Sequence, residues 1–240
     1  MKTLQKFGGF AALYEAAAYI VGMIGFLTIV DVSGIADPVK QVALMADNLA
    51  FLYIMHMITY VVWGVLMIVL ALALYERLKA GSPAIVQTAA IFGIFWGCVI
   101  IISGMIHNVG MQTVVDLYGK DPGQAGTIWL TIDSVLGGLA GSNEAIGGIW
   151  ILLISWAALR TGELSKLLNY LGVVIGAAGI ISIVPALAEL FIYIFALGQI
   201  VWFVWLGLLM LRSDATAAAQ QPESEIPAPT QREMSAAAAK

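Results

Sequence analysis

The chain has one cysteine, two histidines and few charges: Lys, Arg, Asp and Glu together make up 11% of its 240 residues. Each scarcity excludes something. A lone Cys98 forbids an intramolecular disulfide, and inside a long apolar stretch it reads as a small packing residue. A net charge of −4 without any basic patch excludes a nucleic-acid partner. The sequence has no P-loop, no Gly-rich dinucleotide fingerprint, no Gly-x-Ser-x-Gly elbow and no His-Glu-x-x-His. ATPase, flavoprotein and zincin chemistry therefore lack their signatures. No nucleophile stands at a readable spacing from a base, so the reading leans away from an enzyme.

What fills the chain instead is apolar: 61% of its residues are hydrophobic and the mean hydropathy is +0.94. A water-soluble fold cannot hide that much apolar surface. Six long stretches, near 10–30, 49–74, 84–106, 143–159, 167–188 and 191–211, approach the roughly 20 residues that carry an α-helix across a bilayer. Barrel strands would read as alternating segments half that length. The expected fold class is all-α: a polytopic membrane protein, a six-transmembrane-helix bundle over residues 1–212. Beyond Arg212 the composition turns to Ala, Gln, Pro, Glu and Ser, so 213–240 is expected to be a disordered cytoplasmic tail.

The basic residues give the expected orientation. Lys2 and Lys6 precede the first stretch, Arg77 and Lys79 lie between the second and third, Arg160 and Lys166 between the fourth and fifth, and Arg212 follows the sixth. Only Lys40 and Lys120 fall on the other side. The positive-inside rule then places both termini in the cytoplasm of a bacterial-type plasma membrane. Glu15 interrupts the first stretch and no cleavage site follows, so that stretch reads as a retained span.

Two loops opposite the termini carry structure of their own. Asp37-Pro38 is a helix-start signature, and a short segment within 38–46 follows it. After a turn at Asp121-Pro122-Gly123, apolar and polar residues interleave over 127–139, as in a helix lying along the interface. Gly137-Gly138 and Gly141-Ser142 predict a break before the fourth span. Trp129, Trp150, Trp156, Trp202 and Trp205 read as interfacial belt and packing residues. Gly93-xxx-Gly97 and Gly172-xxx-Gly176 let backbones approach closely, which serves packing within the chain or an oligomer.

Polar groups within spans are expensive and mark candidate sites. Counting about 1.5 Å per residue, His56, His107, Glu144 and Glu189 gather toward the non-cytoplasmic face, and Glu15 falls near mid-membrane. The only two histidines sit on consecutive helices at matching depth. Thr59 shares a helix face with His56, and Ser103 with His107. Asn108 is expected to be the C-cap of the third span, with a second role lining the same pocket. Two imidazoles could ligate haem iron, or with Glu144 or Glu189 hold a divalent metal such as zinc or copper. Two ligands do not fill a tetrahedral zinc shell. Glu189, at the turn between the last two spans, and Asp133 read as solvated residues. Glu15 needs a partner or a proton, with Tyr19 one turn away and Gln199 at similar depth.

The turn Ala158-Leu159-Arg160-Thr161-Gly162-Glu163-Leu164-Ser165 and the following Leu168-Asn169-Tyr170-Leu171-Gly172 resemble the pattern of a broad bacterial family of small integral-membrane proteins of unknown function. That resemblance implies a multi-pass membrane protein and supplies no activity or catalytic residue. The expected function is binding of a small ligand, haem or a metal ion through His56 and His107, in a pocket with Ser103, Asn108, Thr59, Glu144 and Glu15. A proton-coupled small-molecule carrier using Glu15 is one alternative, and a non-catalytic membrane interaction protein is the other. Besides the lipid bilayer, a small-molecule ligand is the expected partner.

Overall fold

The structure is a computed structural model that describes residues 2–30, 34–139 and 143–219, with side chains from Thr3 to Arg212 within those ranges. Among the described residues every regular element is helical: α1 (Lys2–Thr28), α2 (Pro38–Asp47), α3 (Leu49–Leu78), α4 (Pro83–Tyr118), α5 (Pro122–Leu139), α6 (Glu144–Thr161), α7 (Lys166–Ile181) and α8 (Ala188–Ala219).

Local chemistry sets several of these ends. Asp37 accepts a hydrogen bond from the Val39 N–H at 3.0 Å, with Pro38 at the first helical position of α2. Asp121 does the same for Gln124 at 2.9 Å, so α5 starts at the predicted turn. Gly162 closes α6 in the left-handed region, φ 71°, where its N–H reaches the Ala158 carbonyl. α8 continues to Ala219, past the expected boundary at 212, through a run that includes the strong helix former alanine. The rest of the expected tail, 220–240, lies outside the described residues, as do Gly141 and Ser142 of the expected break.

α1, α3, α4, α6, α7 and α8 pack each on the next, and α8 returns to α1, so six helices form a closed ring. Among the described residues, five helical stretches are long and apolar enough to cross a membrane: Thr3–Thr28, Leu49–Leu78, Pro83–Tyr118, Pro122–Thr161 and Ala188–Arg212. The fourth takes in both α5 and α6, and Lys166–Ile181 is a shorter apolar helix. The outer surface of the ring is apolar, with Val109 68%, Ile183 66% and Leu27 60% exposed. Exposed apolar area on this scale fits contact with lipid.

The interior is aromatic. Trp63, Trp96, Trp150 and Trp202 are all but sealed from solvent, and their rings follow one another at 4.9, 6.0 and 5.7 Å between centroids. Of the belt and packing roles expected for the tryptophans, Trp150 and Trp202 are therefore packing residues of the core, whereas Trp156 is 51% exposed. The small-residue motifs create the room. A Cβ on Gly93 would stand 2.5 Å from Nε1 of Trp150, and one on Gly172 would meet Trp202 and Ser155. Gly97 abuts the Gly64 carbonyl and Gly176 that of Gly148. All four motif glycines are buried inside the chain, so these faces serve packing within it.

At one end of the ring stands a second core. α4 has 36 residues, about 54 Å at 1.5 Å per residue, far more than the roughly 30 Å of hydrocarbon. Its spacing of apolar residues persists through Met111 and Val114, which are buried against α2 and α5 together with Val42, Met45, Trp129 and Leu136. Asn108 accordingly lies inside α4 and does not cap it. α2 and α5 form a cap on this end. The opposite end collects Lys6, Arg77, Lys79, Arg160 and Lys166 near helix starts, stops and turns, and Arg212 within α8.

Candidate functional site

The site lies under the cap, where α3 changes its winding. Residues Met57–Val62 of α3 form a π-helical turn, the wide turn that recurs at functional sites. Four of its six residues, Ile58, Thr59, Val61 and Val62, are β-branched and crowd an α-helical repeat. Gly104 of α4 lies opposite, and a Cβ there would come within 2.6 Å of the Tyr60 Cβ. Close approach of α3 and α4 at this level brings His56 and His107 ring to ring, 4.5 Å between centroids and tilted by 40°. Phe26 of α1 stacks on His56 at 5.7 Å, and Tyr60 stands 5.1 Å from His107.

Both ring orientations are set by acceptors. The Nδ2 of Asn108 donates to the Tyr53 carbonyl at 3.4 Å, which turns its Oδ1 to Nδ1 of His56 at 3.1 Å. An amide oxygen only accepts, so the His56 proton is on Nδ1. His107 Nδ1 donates in the same way to the Ser103 carbonyl at 3.0 Å. Neutral imidazoles arranged like this each keep Nε2 as a lone-pair acceptor.

These groups line a cavity of about 310 Å³ whose walls include Phe26, His56, Tyr60, His107, Trp129 and Asp133. Trp129 donates to Gln41 at 2.9 Å, joining α5 to α2 over the site. Asp133 is exposed, as expected, yet it also lines this cavity and acts electrostatically on His107. Met111, one turn beyond His107, and Met45 of α2 add thioethers to the lining.

A second cavity, about 340 Å³, lies beside the first and shares Phe26 and Tyr60 with it. Its lining includes Tyr19, Thr59, Trp63, Asn143 and Glu144. Thr59 and Glu144 thus belong to a neighbouring compartment and not to the histidine cavity. Ser103 contributes only its carbonyl to the site, because its hydroxyl donates to Val99 of its own helix at 2.8 Å. Glu15 lines neither cavity: it is fully buried in α1. Glu189 is exposed at the start of α8.

The expected single pocket is therefore two cavities and a separate buried carboxyl. Phe26, Tyr60, Trp129 and Met111 were not among the expected site residues, although Tyr60 and Met111 each follow a histidine by four residues and so share its helix face. For haem ligated by both histidines, the porphyrin must lie between the rings, and 4.5 Å leaves no room for it. Among the described residues no group of three or more His, Cys, Asp and Glu side chains is placed to hold a metal.

Apolar helices around a sealed aromatic interior, with polar cavities at one end, define a multi-pass α-helical membrane protein. The chain belongs to the family described as a domain of unknown function, DUF4386, whose model matches residues 9–210. No curated protein and no solved structure matches it.

Proposed function

We propose that this membrane protein binds a small, flat organic molecule carrying hydrogen-bond donors in the cavity under the α2/α5 cap. The observation that supports this reading is the fixed tautomer of the two histidines. With both Nδ1 protons engaged, His56 and His107 offer two Nε2 acceptors to whatever enters. Phe26, Tyr60 and Trp129 add aromatic faces, which favour a planar or cationic guest, and Asp133 adds a negative charge at the rim. A cavity of about 310 Å³ sits at the small end of the usual range for ligand sites. The concentration of basic residues at the opposite end supports a cytoplasmic placement for that end and the termini, in a bacterial-type plasma membrane, with the cap outside.

The test is extraction and mass spectrometry of small molecules that co-purify with the full chain in mild detergent. A donor-bearing compound present with the parent and depleted in the His56→Ala, His107→Ala double variant is expected. An identical complement from both proteins would overturn the reading.

Met45 and Met111 favour a second reading, a soft metal ion held by two imidazoles and thioethers, since this donor set suits Cu(I). Stoichiometric silver(I) or copper(I) lost in Met111→Leu supports it, and a metal-free parent after loading excludes it.

A further inference from the structure

We propose that Glu15 is an intramembrane proton site of this protein, loaded and emptied from the cap end through the cavity that Tyr19 and Tyr60 line. This goes beyond the histidine cavity and does not depend on what that cavity binds.

Glu15 is 0% exposed, and among the described residues neither of its carboxyl oxygens has a hydrogen-bond partner. An unpaired carboxylate in such a place costs far more than a neutral acid, so the side chain holds a proton at rest. A carboxyl kept merely for structure would be expected to donate to a neighbour, as buried polar groups do. On the helices that pack against α1, Oε1 of Gln199 on α8, and Nε1 of Trp63 on α3 and of Trp202 on α8, are likewise buried without partners among the described residues.

The route to it is short. Tyr19 lies one turn along α1 from Glu15, meets the Gln199 side chain, and is within electrostatic range of Glu15, Glu144 and Tyr60. Its ring packs edge-on against Trp63 at 6.1 Å. Tyr19 also lines the second cavity, where Tyr60 and Glu144 face it from α3 and α6. The other titratable neighbour, Tyr14, donates to the Ile58 carbonyl at 2.9 Å and is turned away into α3. The helices packed on α1 are α3 and α8; α3 brings Thr59, Tyr60 and Trp63 to the cavity that Tyr19 lines, and α8 brings Gln199 to Tyr19. In one exchange the Tyr19 hydroxyl gives its proton to a Glu15 carboxylate oxygen and takes one from solvent in the cavity; reversal empties the site. Two O–H bonds break and two form, and the net change is one proton passed between cavity solvent and Glu15 with Tyr19 restored.

The experiment is infrared spectroscopy of the full chain in mild detergent, following the protonated-carboxyl C=O band on transfer into D2O. The parent is expected to show a band that shifts on deuteration and is lost in Glu15→Gln. Tyr19→Phe is expected to keep the band but slow its shift by on the order of a hundredfold, the low end of what a positioned proton-transfer group contributes. A parent band that Glu15→Gln does not remove would overturn the assignment of the proton, and an unchanged exchange rate in Tyr19→Phe would overturn the route. Both substitutions are nearly isosteric, and thermal unfolding of each variant checks that it folds as the parent does.

Discussion

Nδ1 of His56 on α3 stands 3.1 Å from Oδ1 of Asn108 on α4, and this one contact decides which nitrogen the histidine offers to the cavity. Asn108 is 5% exposed and His56 6%, so neither can turn to water in compensation. Replacement by leucine leaves His56 without its acceptor. Asn108→Leu is expected to lower stability by about 1–3 kcal/mol, the cost of an unsatisfied buried polar group, and to release the co-purifying ligand. Thermal unfolding and extracted-ligand analysis of the same sample check both parts.

The aromatic interior tolerates no added volume beside its tryptophans. Gly93→Leu would press its Cβ on Nε1 of Trp150 and on Ala71, and a fully buried Trp150 has nowhere to move. The variant is expected to lose the monodisperse folded fraction in detergent chromatography. Gly119→Ala is the counterpart, since nothing lies within 4 Å of its Cβ position and its φ is −67°. That variant should match the parent or gain about 0.4–1 kcal/mol.

At the basic end, Arg77 and Glu163 form an ion pair at 3.7 Å in which the Glu163 side chain is 51% exposed. Solvent screening leaves such a pair worth about 1 kcal/mol or less. Glu163→Gln should shift the unfolding midpoint only slightly, and the shift should shrink as salt is raised.

Glu76 accepts a hydrogen bond from Lys79 at 2.7 Å, one turn along the chain, and this bond is the main reason the Lys79 ammonium is held above its ordinary value. A raised value in the folded state means that the pair's support is fully present from neutral pH up to the normal lysine range and disappears as pH rises through the folded value. As pH is raised from neutral, unfolding curves of the parent and Lys79→Gln should therefore converge under strongly alkaline conditions. A difference that instead grows with pH would contradict the assignment.

Sidedness is open to direct test. In a Cys98→Ser background, Lys120→Cys at the cap end and Glu163→Cys at the basic end, both exposed in the parent, should react with a membrane-impermeant maleimide from opposite sides of a sealed vesicle. Reaction of Lys120→Cys from outside right-side-out vesicles is the outcome expected of the proposed orientation.

Much of this was legible in the chain itself. Apolar runs of bilayer length, the Asp37-Pro38 cap and the segregation of basic residues are local patterns, and backbone satisfaction in an apolar medium turns them into helices whatever the partners. The pairing of His56 with His107 was readable as well, because two consecutive antiparallel helices place residues at equal depth side by side. Other features had no local signature. α4 runs on past Asn108 because α2 and α5 bury Met111 and Val114, and contacts between distant segments leave no mark at the point where a helix would otherwise stop. Trp150 and Trp202 could be read only as belt or packing residues, because their depth was visible and their facing was not. Thr59 and Glu144 fell into a different cavity from the histidines because Phe26 and Tyr60 stand between the two, a partition made by side chains from separate helices. The sequence by itself determined a helical membrane protein, its basic end and the position of each polar group along its helix, since these follow from one-dimensional spacing along a rod of known rise. Which depths share a cavity, which histidine nitrogen is open and how completely Glu15 is sealed were decided only by the tertiary structure, because rotation of each helix about its axis is set by its neighbours' packing.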